Sequence, residues 1–236
     1  CKLDTNENED FLEAPVRLLK TRGSVHSLTW APGGKKLAFV ANRGDHSFIG
    51  YLEMGKNAVN WIDPAFAKDF SPNWSPDGSQ LGFIRTPAEG GSADSLTQRK
   101  RIPWSIRKAG LVAGEKSTLV WEAPNTYRGS IPTTHGGTNL HWARQDRLVF
   151  TSYHDGWPHA YSVAPTGGAA LLLSPGEFMV EHLSVSADGN SIYFDANTGG
   201  EDTDKDRRHI CQVSVDKADM KVLTSGKGIE IGRAHV

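Results

Sequence analysis

Histidines, a short acidic run and two cysteines are the groups with which this chain could do chemistry unaided. His135, His141, His154 and His159 crowd into one stretch. A set of imidazoles can hold a transition metal. These four lack the i, i+4 spacing that sets two ligands on one helical face, and no cysteine joins them, so packed or rim histidines are expected. Asp202, Asp204 and Asp206 alternate like the opening of a calcium loop, where carboxylates converge on one cation. Arg207 stands where that loop needs glycine, and the later bidentate glutamate is missing. The expectation is a charged inter-strand loop whose acids Arg207 and Arg208 neutralise; the three aspartates stay as candidates and no metal is assigned. Cys1 and Cys211 fit no metal or redox spacing. Cys211 lies in the alternating run Ile210-Cys-Gln-Val-Ser-Val215 and reads as a quiet structural thiol. A first residue Cys1 before the polar stretch Lys2 to Asp10 suits a processed lipoprotein start or a fragment start, and the fragment reading is preferred. Arg99-Lys100-Arg101 could meet an anion, but a solvated loop edge is expected. Arg43-Gly44-Asp45 matches an adhesion tripeptide at a hairpin, where Gly and Asp are ordinary.

The elements that position these groups are written as a repeat. Trp30-Ala-Pro-Gly-Gly-Lys-Lys-Leu-Ala-Phe39, Trp74-Ser-Pro-Asp-Gly-Ser-Gln-Leu-Gly-Phe83, Trp142-Ala-Arg-Gln-Asp-Arg-Leu-Val-Phe150 and Val185-Ser-Ala-Asp-Gly-Asn-Ser-Ile-Tyr-Phe194 share one phrase: an anchor, a turn, then Leu/Ile-x-Phe. The phenylalanines step by 44, 67 and 44 residues. A period of about 40–50 residues marks a blade-by-blade architecture. Asp77-Gly78 and Asp188-Gly189 are strong hairpin signals, Gly33-Gly34 serves the first copy, and Gln145-Asp146 the shorter third. Third strands are expected at Phe48 to Leu52, Ser105 to Ala109, His159 to Val163 and Ile210 to Val215. Fourth strands are expected at Val59 to Ile62, Thr118 to Trp121, Ala170 to Leu173 and Lys221 to Leu223. The long step is a polar insertion between Arg85 and Pro103, read as an exposed, mobile loop. Val16-Arg-Leu-Leu19 reads as the last strand of a preceding blade. The fold class is therefore all-β, a β-propeller with WD-like repeats, about four blades present and incomplete.

Composition bounds the partners. The chain has 236 residues, 38% hydrophobic and 22% charged, with 26 basic and 27 acidic side chains. That size suits one large core or two small ones, and the charge balance gives no reason to expect nucleic acid or an anionic membrane. No apolar run approaches the roughly 18–20 residues that span a bilayer.

With the Trp-Ser-Pro-Asp-Gly-x-x-Leu-x-Phe pattern laid out, the chain resembles the propeller domain of prolyl oligopeptidase family serine peptidases, the dipeptidyl peptidase IV-like bacterial members above all. The likeness runs over most of residues 16–225 and rests on Trp74 to Arg85, Asn42 to Gly50, Tyr127 to Trp142 and Phe150 to Tyr161. The phrase alone is shared with Tol-Pal-type periplasmic propellers. The His-Gly-Gly-Thr-Asn-Leu-His-Trp and Asp-Gly-Trp-Pro-His segments favour the peptidases. The resemblance implies a following α/β-hydrolase domain with a G-x-S-x-G elbow. Gly23-Ser24, Gly91-Ser92 and Gly129-Ser130 all lack the second glycine at the right offset, so no catalytic residue is assigned. The resemblance also implies propeller carboxylates that hold a substrate's free amine, with an arginine at the carbonyl. Glu177, Glu181 and Arg128 are the residues offered for those roles, although the family's acids are adjacent and these are four apart.

The division expected is a disordered or tethering segment over 1–15, a partial β-propeller over 16–230 with blades near 25–65, 70–123, 138–175 and 182–225, and a non-native tail over 231–236, where Ile-Gly-Arg-Ala-His-Val resembles a translated sequencing adapter. The function expected is a non-catalytic propeller that gates and orients peptides for the hydrolase domain it docks; the parent is a serine-type peptidase and this chain alone is inactive. The alternative is a Tol-Pal-type protein-binding propeller, and the coding sequence after Glu230 discriminates the two. No cofactor is implied, and the compartment, periplasm or cytoplasm of a bacterium, is left open.

Overall fold

A computed structural model describes residues 17–56, 58–88, 100–133, 136–144, 146–199 and 202–229, without the side chains of 202 and 203. Among them the chain forms sixteen β-strands and one 3-10 turn, with no α-helix. The strands fall into four antiparallel meanders. The first is β1 (Ser24–Trp30), β2 (Lys36–Asn42), β3 (Ser47–Glu53) and β4 (Val59–Ile62); the second is β5 (Ala67–Trp74), β6 (Gln80–Pro87), β7 (Ser105–Gly110) and β8 (Thr118–Glu122). The third is β9 (His141–Ala143), β10 (Arg147–Ser152), β11 (His159–Val163) and β12 (Leu171–Leu172); the fourth is β13 (Val180–Val185), β14 (Ser191–Ala196), β15 (His209–Ser214) and β16 (Lys221–Val222). A single parallel bridge, Ser47 to Lys68, joins the first two into one hydrogen-bonded sheet.

Local chemistry explains the first hairpins of the second and fourth meanders. Gly78 N–H donates to Ser75 O at 2.8 Å and Ser75 N–H to Gln80 O at 3.0 Å, closing the turn around Asp77-Gly78. Asp77 accepts from the Ser75 hydroxyl at 2.5 Å and from the Ser79 amide at 3.0 Å, which holds its carboxyl down at about 2. Ser186 to Ser191 repeats this closure with Asp188 in the same role. Short Asx-type bonds of this kind fix a turn before any packing forms.

The cores lie between the meanders. Val40, Ile49, Trp74 and Phe83 fill the layer between the first two; Ile84, Ile106, Leu148 and Phe150 the next; Val149, Ala160, Val180 and Phe194 the third. Alternate residues of one strand thus serve opposite layers, as the pleat requires. Phe39, Phe83, Phe150 and Phe194 are all 1% exposed or less. First strands neighbour one another: Trp74 Nε1 donates to Thr29 O at 3.0 Å, and His141 Nε2 lies 3.2 Å from Leu183 O. Trp142 lies over Gly82, where a Cβ would stand 3.1 Å from the indole and 3.0 Å from Leu148. Face-packed four-stranded meanders with adjacent first strands are a β-propeller.

Three expectations are corrected. Residues 17–20 form no strand; Leu18 is exposed, and Leu19 packs on Phe39 and Leu52 as a loose plug. Arg101 is not a solvated edge, because its Nη2 donates to Ala123 O at 3.0 Å and Pro124 O at 3.1 Å. Thr86, expected in a mobile loop, is buried in β6. The rest of that insertion, residues 89–99, lies outside the described residues, as do Cys1, His135, Gln145 and the 231–236 segment.

Candidate functional site

Strand direction gathers the interesting loops. In each meander the second-to-third hairpin and the exit toward the next meander leave from the same strand ends. Residues 153–158, 123–133, 136–140, 173–179, 197–199 and 202–208 therefore share one end of the propeller. Arg128 and Glu177 are in those loops, and Glu181 stands at the start of β13 beside them.

One histidine at this end is held at both ring nitrogens. His159 opens β11 and is 2% exposed. Its Nδ1 lies 2.6 Å from Asp155 Oδ2 and its Nε2 2.9 Å from Gly176 O. Burial works against ionising Asp155, yet contact with His159 and the Trp157 amide holds its carboxyl below the usual range. The ring thus ties the 153–158 hairpin to the segment carrying Glu177. Arg128 closes the other side. It sits in the 126–130 turn, and a Cβ at Gly156 would collide with its Nη1. The Arg128 terminus can swing aside from such a Cβ, so it is the backbone, with φ +118 at Gly156, that favours glycine there. Arg128 and Glu177 are exposed at the rim.

Nearby, Ser152 Oγ lies 2.9 Å from His154 Nδ1. This pairing is not a nucleophile and base, because Ser152 is fully buried on β10 and no acid orients His154 through an observed bond. Burial among Tyr161 and Trp121 pulls the His154 pKa down, which favours the neutral ring.

Glu181 is placed differently from Glu177. It is 8% exposed and its Oε2 accepts from Arg208 Nε at 2.7 Å. Directly across the strand pair stands Asp195, 1% exposed, with Oδ2 at 2.9 Å from His182 Nδ1. Burial pushes the Asp195 carboxyl up despite His182. Glu181, His182 and Asp195 each bring a donor atom within 4.8 Å of the others. Sequence inspection missed His182 and Asp195, because neither lies in a spaced motif. Cross-strand register brings them together, and the available signal was only that Asp195 follows a core Phe on a strand.

The aspartate candidates lie in the segment between β14 and β15. Residues Asp202–Asp206 make the 3-10 turn. Asp204 is buried, with Arg207 at 2.8 Å and His209 at 3.5 Å, while Asp206 is exposed. Arg207 does neutralise an acid of the run, whereas Arg208 turns instead to Glu181. At the opposite end of the propeller, a cleft of about 610 Å³ lies between the Ser75–Gln80 turn, Trp142, Arg144 and Thr166, away from all of these groups.

Comparison with known proteins follows from this geometry. TolB from Acinetobacter baumannii superposes with TM-score 0.56 at 19% identity, over 90% of this chain and 46% of that one. A prolyl endopeptidase structure superposes with TM-score 0.58 at 19% identity, over 86% of this chain and 29% of that one. A Mycobacterium tuberculosis puromycin-hydrolyzing peptidase gives TM-score 0.60 at 14% identity, over 87% and 32%. At these identities the likeness is one of fold, and the chain spans less than half the length of each of the three. No curated protein sequence matches it. The family model for the dipeptidyl peptidase IV (DPP IV) N-terminal region matches residues 108–235, more than half of the chain. The chain belongs to the dipeptidyl peptidase IV N-terminal region family.

Proposed function

We propose that this propeller is the non-catalytic part of a serine peptidase, gating and orienting peptides for an α/β-hydrolase domain docked against it. The observation that carries the reading is the family match, whose range contains the rim bearing Arg128, Glu177 and Glu181. In this reading Glu177 receives the peptide's free amine and Arg128 a backbone carbonyl near it. Both are exposed, at the end of the propeller where His159 and Gly176 hold the loops rigid. Pre-set loops reduce the ordering cost of binding. Glu181 is already engaged by Arg208 and contributes charge rather than direct contact. The bond cleavage itself belongs to a Ser/His/Asp set outside this chain.

The test is calorimetric titration of the chain with short peptides, either with a free amino terminus or acetylated. A preference for the free amine that Glu177→Gln abolishes supports the reading. Equal binding of both forms, unaffected by Glu177→Gln, refutes the amine role and favours a TolB-like protein-binding propeller, the fold likeness that supports the alternative. A parallel assay with amino-terminal dipeptide and internal-proline fluorogenic substrates should give no turnover sensitive to a serine-directed inhibitor.

A further inference from the structure

We infer that Glu181, His182 and Asp195 form a binding site for one divalent transition-metal ion of the Zn²⁺ type. Three independent observations converge. The first is register: Glu181 and Asp195 are direct cross-strand partners of β13 and β14. Two carboxylates directly opposite repel, and a sheet normally avoids that pairing. The second is incomplete satisfaction. Asp195 is 1% exposed, His182 meets only its Oδ2, and Oδ1 is buried with no hydrogen-bond partner among the described residues. A buried acceptor left this way costs free energy until something positive reaches it. The third is donor geometry. One donor atom from each of the three residues already lies within 4.8 Å of the others. Bonds of about 2.0–2.2 Å around a tetrahedral ion place donors about 3.4 Å apart, so modest side-chain rotation closes the site.

The backbone sets up this convergence. The β13–β14 pairing is broken by a bulge between Glu181 and Ser184, and His182 within it has φ +48. The bulge lets consecutive residues, Glu181 and His182, serve the same cluster, which a regular strand forbids because neighbours point to opposite faces. Ser27, Ser71 and Asn139 hold the same left-handed position three residues before their own anchors. Only in the fourth meander does that position carry an imidazole. Donor chemistry selects the ion. One nitrogen and carboxylate oxygens suit Zn²⁺, Co²⁺ or Mn²⁺, whereas Ca²⁺ and Mg²⁺ prefer oxygen alone. Arg208 offsets Glu181, and the dication, taking the His182 ring from its 2.9 Å contact with Asp195, offsets Asp195 while leaving coordination positions for water.

Equilibrium dialysis of the chelator-stripped chain against Zn²⁺, with metal counted by mass spectrometry, should give one tight equivalent. Co²⁺ in its place should show the visible absorption of a tetrahedral or five-coordinate site. His182→Asn, which keeps a residue tolerant of positive φ, should weaken binding more than about 10-fold, and Glu181→Gln and Asp195→Asn should do the same. The exposed His26→Gln should bind as the unchanged chain does. If Asp195→Asn fails to fold by circular dichroism, His182→Asn and Glu181→Gln decide. Absence of a stoichiometric equivalent in the unchanged chain, or full retention in His182→Asn, overturns the site.

Discussion

At Asp63 several opposed effects act on one carboxyl. Burial resists its ionisation, but the Ser117 hydroxyl at 2.5 Å, Lys116 at 3.1 Å and Arg85 at 3.0 Å hold it down at about 2. Arg85 also forks onto Asp69 at 2.6 Å and 2.8 Å, so the cation is shared between a residue after β4 and one in β5. Because the folded pKa lies below the unfolded one, the stabilisation is complete above about 4 and disappears as pH falls toward about 2. Its size is about 2 kcal/mol. Urea unfolding should therefore show Asp63→Asn less stable by that order at pH 6, with the gap closing by pH 2. A constant gap across that range would show that the residue acts through packing. Cys211 illustrates the opposite case: burial pushes its thiol up to about 12, and alkylation of the folded chain should be slow there.

At the level of strands, the left-handed position three residues before each anchor is a repeated device. Ser27, Ser71, Asn139 and His182 have φ between 43° and 53°. Three of them sit in bulges that displace the first strand's register. Ser71→Gly should leave stability nearly unchanged, whereas Ser71→Val should cost about 1–3 kcal/mol, since a β-branched residue resists this backbone. Thermal unfolding of the pair separates a backbone cost from a lost side chain: equal losses would point to the hydroxyl. Phe83→Ala should cost about 3–5 kcal/mol by opening the layer under Trp74. This is also where sequence reading succeeded and where it stopped. The Leu/Ile-x-Phe pairs reveal buried strands because a period of two is visible in the residues themselves, and Asp-Gly reveals the turns for the same local reason. The bulges were not legible, because Ser, Ser, Asn and His share no side-chain chemistry, only a backbone tolerance. The Glu181–Asp195 pairing was not legible either, since it depends on register between strands joined by the Ser186–Ser191 hairpin after a bulge has shifted it.

Across the whole molecule, each layer pairs the Phe of one meander with the meander before it, and the first meander shows what happens at the beginning of that series. Phe39 faces a layer closed by Leu19, Val59 and Trp61, with the Trp61 ring 6.0 Å away edge-on. The cover does not extend over β1. Val25, Leu28 and Trp30 are exposed, Trp30 at 54%, while its counterpart Trp74 is at 7% because the first meander covers it and supplies Thr29 O to its indole. β1 also ends its sheet, so its outer edge is unpaired by any other strand among the described residues. An apolar face beside an open edge is a template for pairing. The 236-residue chain should therefore self-associate in a concentration-dependent way, and Leu28→Ser with Trp30→Ser should return it toward monomer without loss of strand content. Sedimentation velocity over a hundredfold range of concentration, with circular dichroism on the same samples, reads both. Association unchanged in the double variant would place the sticky surface elsewhere, and the Val222 and Leu223 side of β16, also exposed, is the next face to alter.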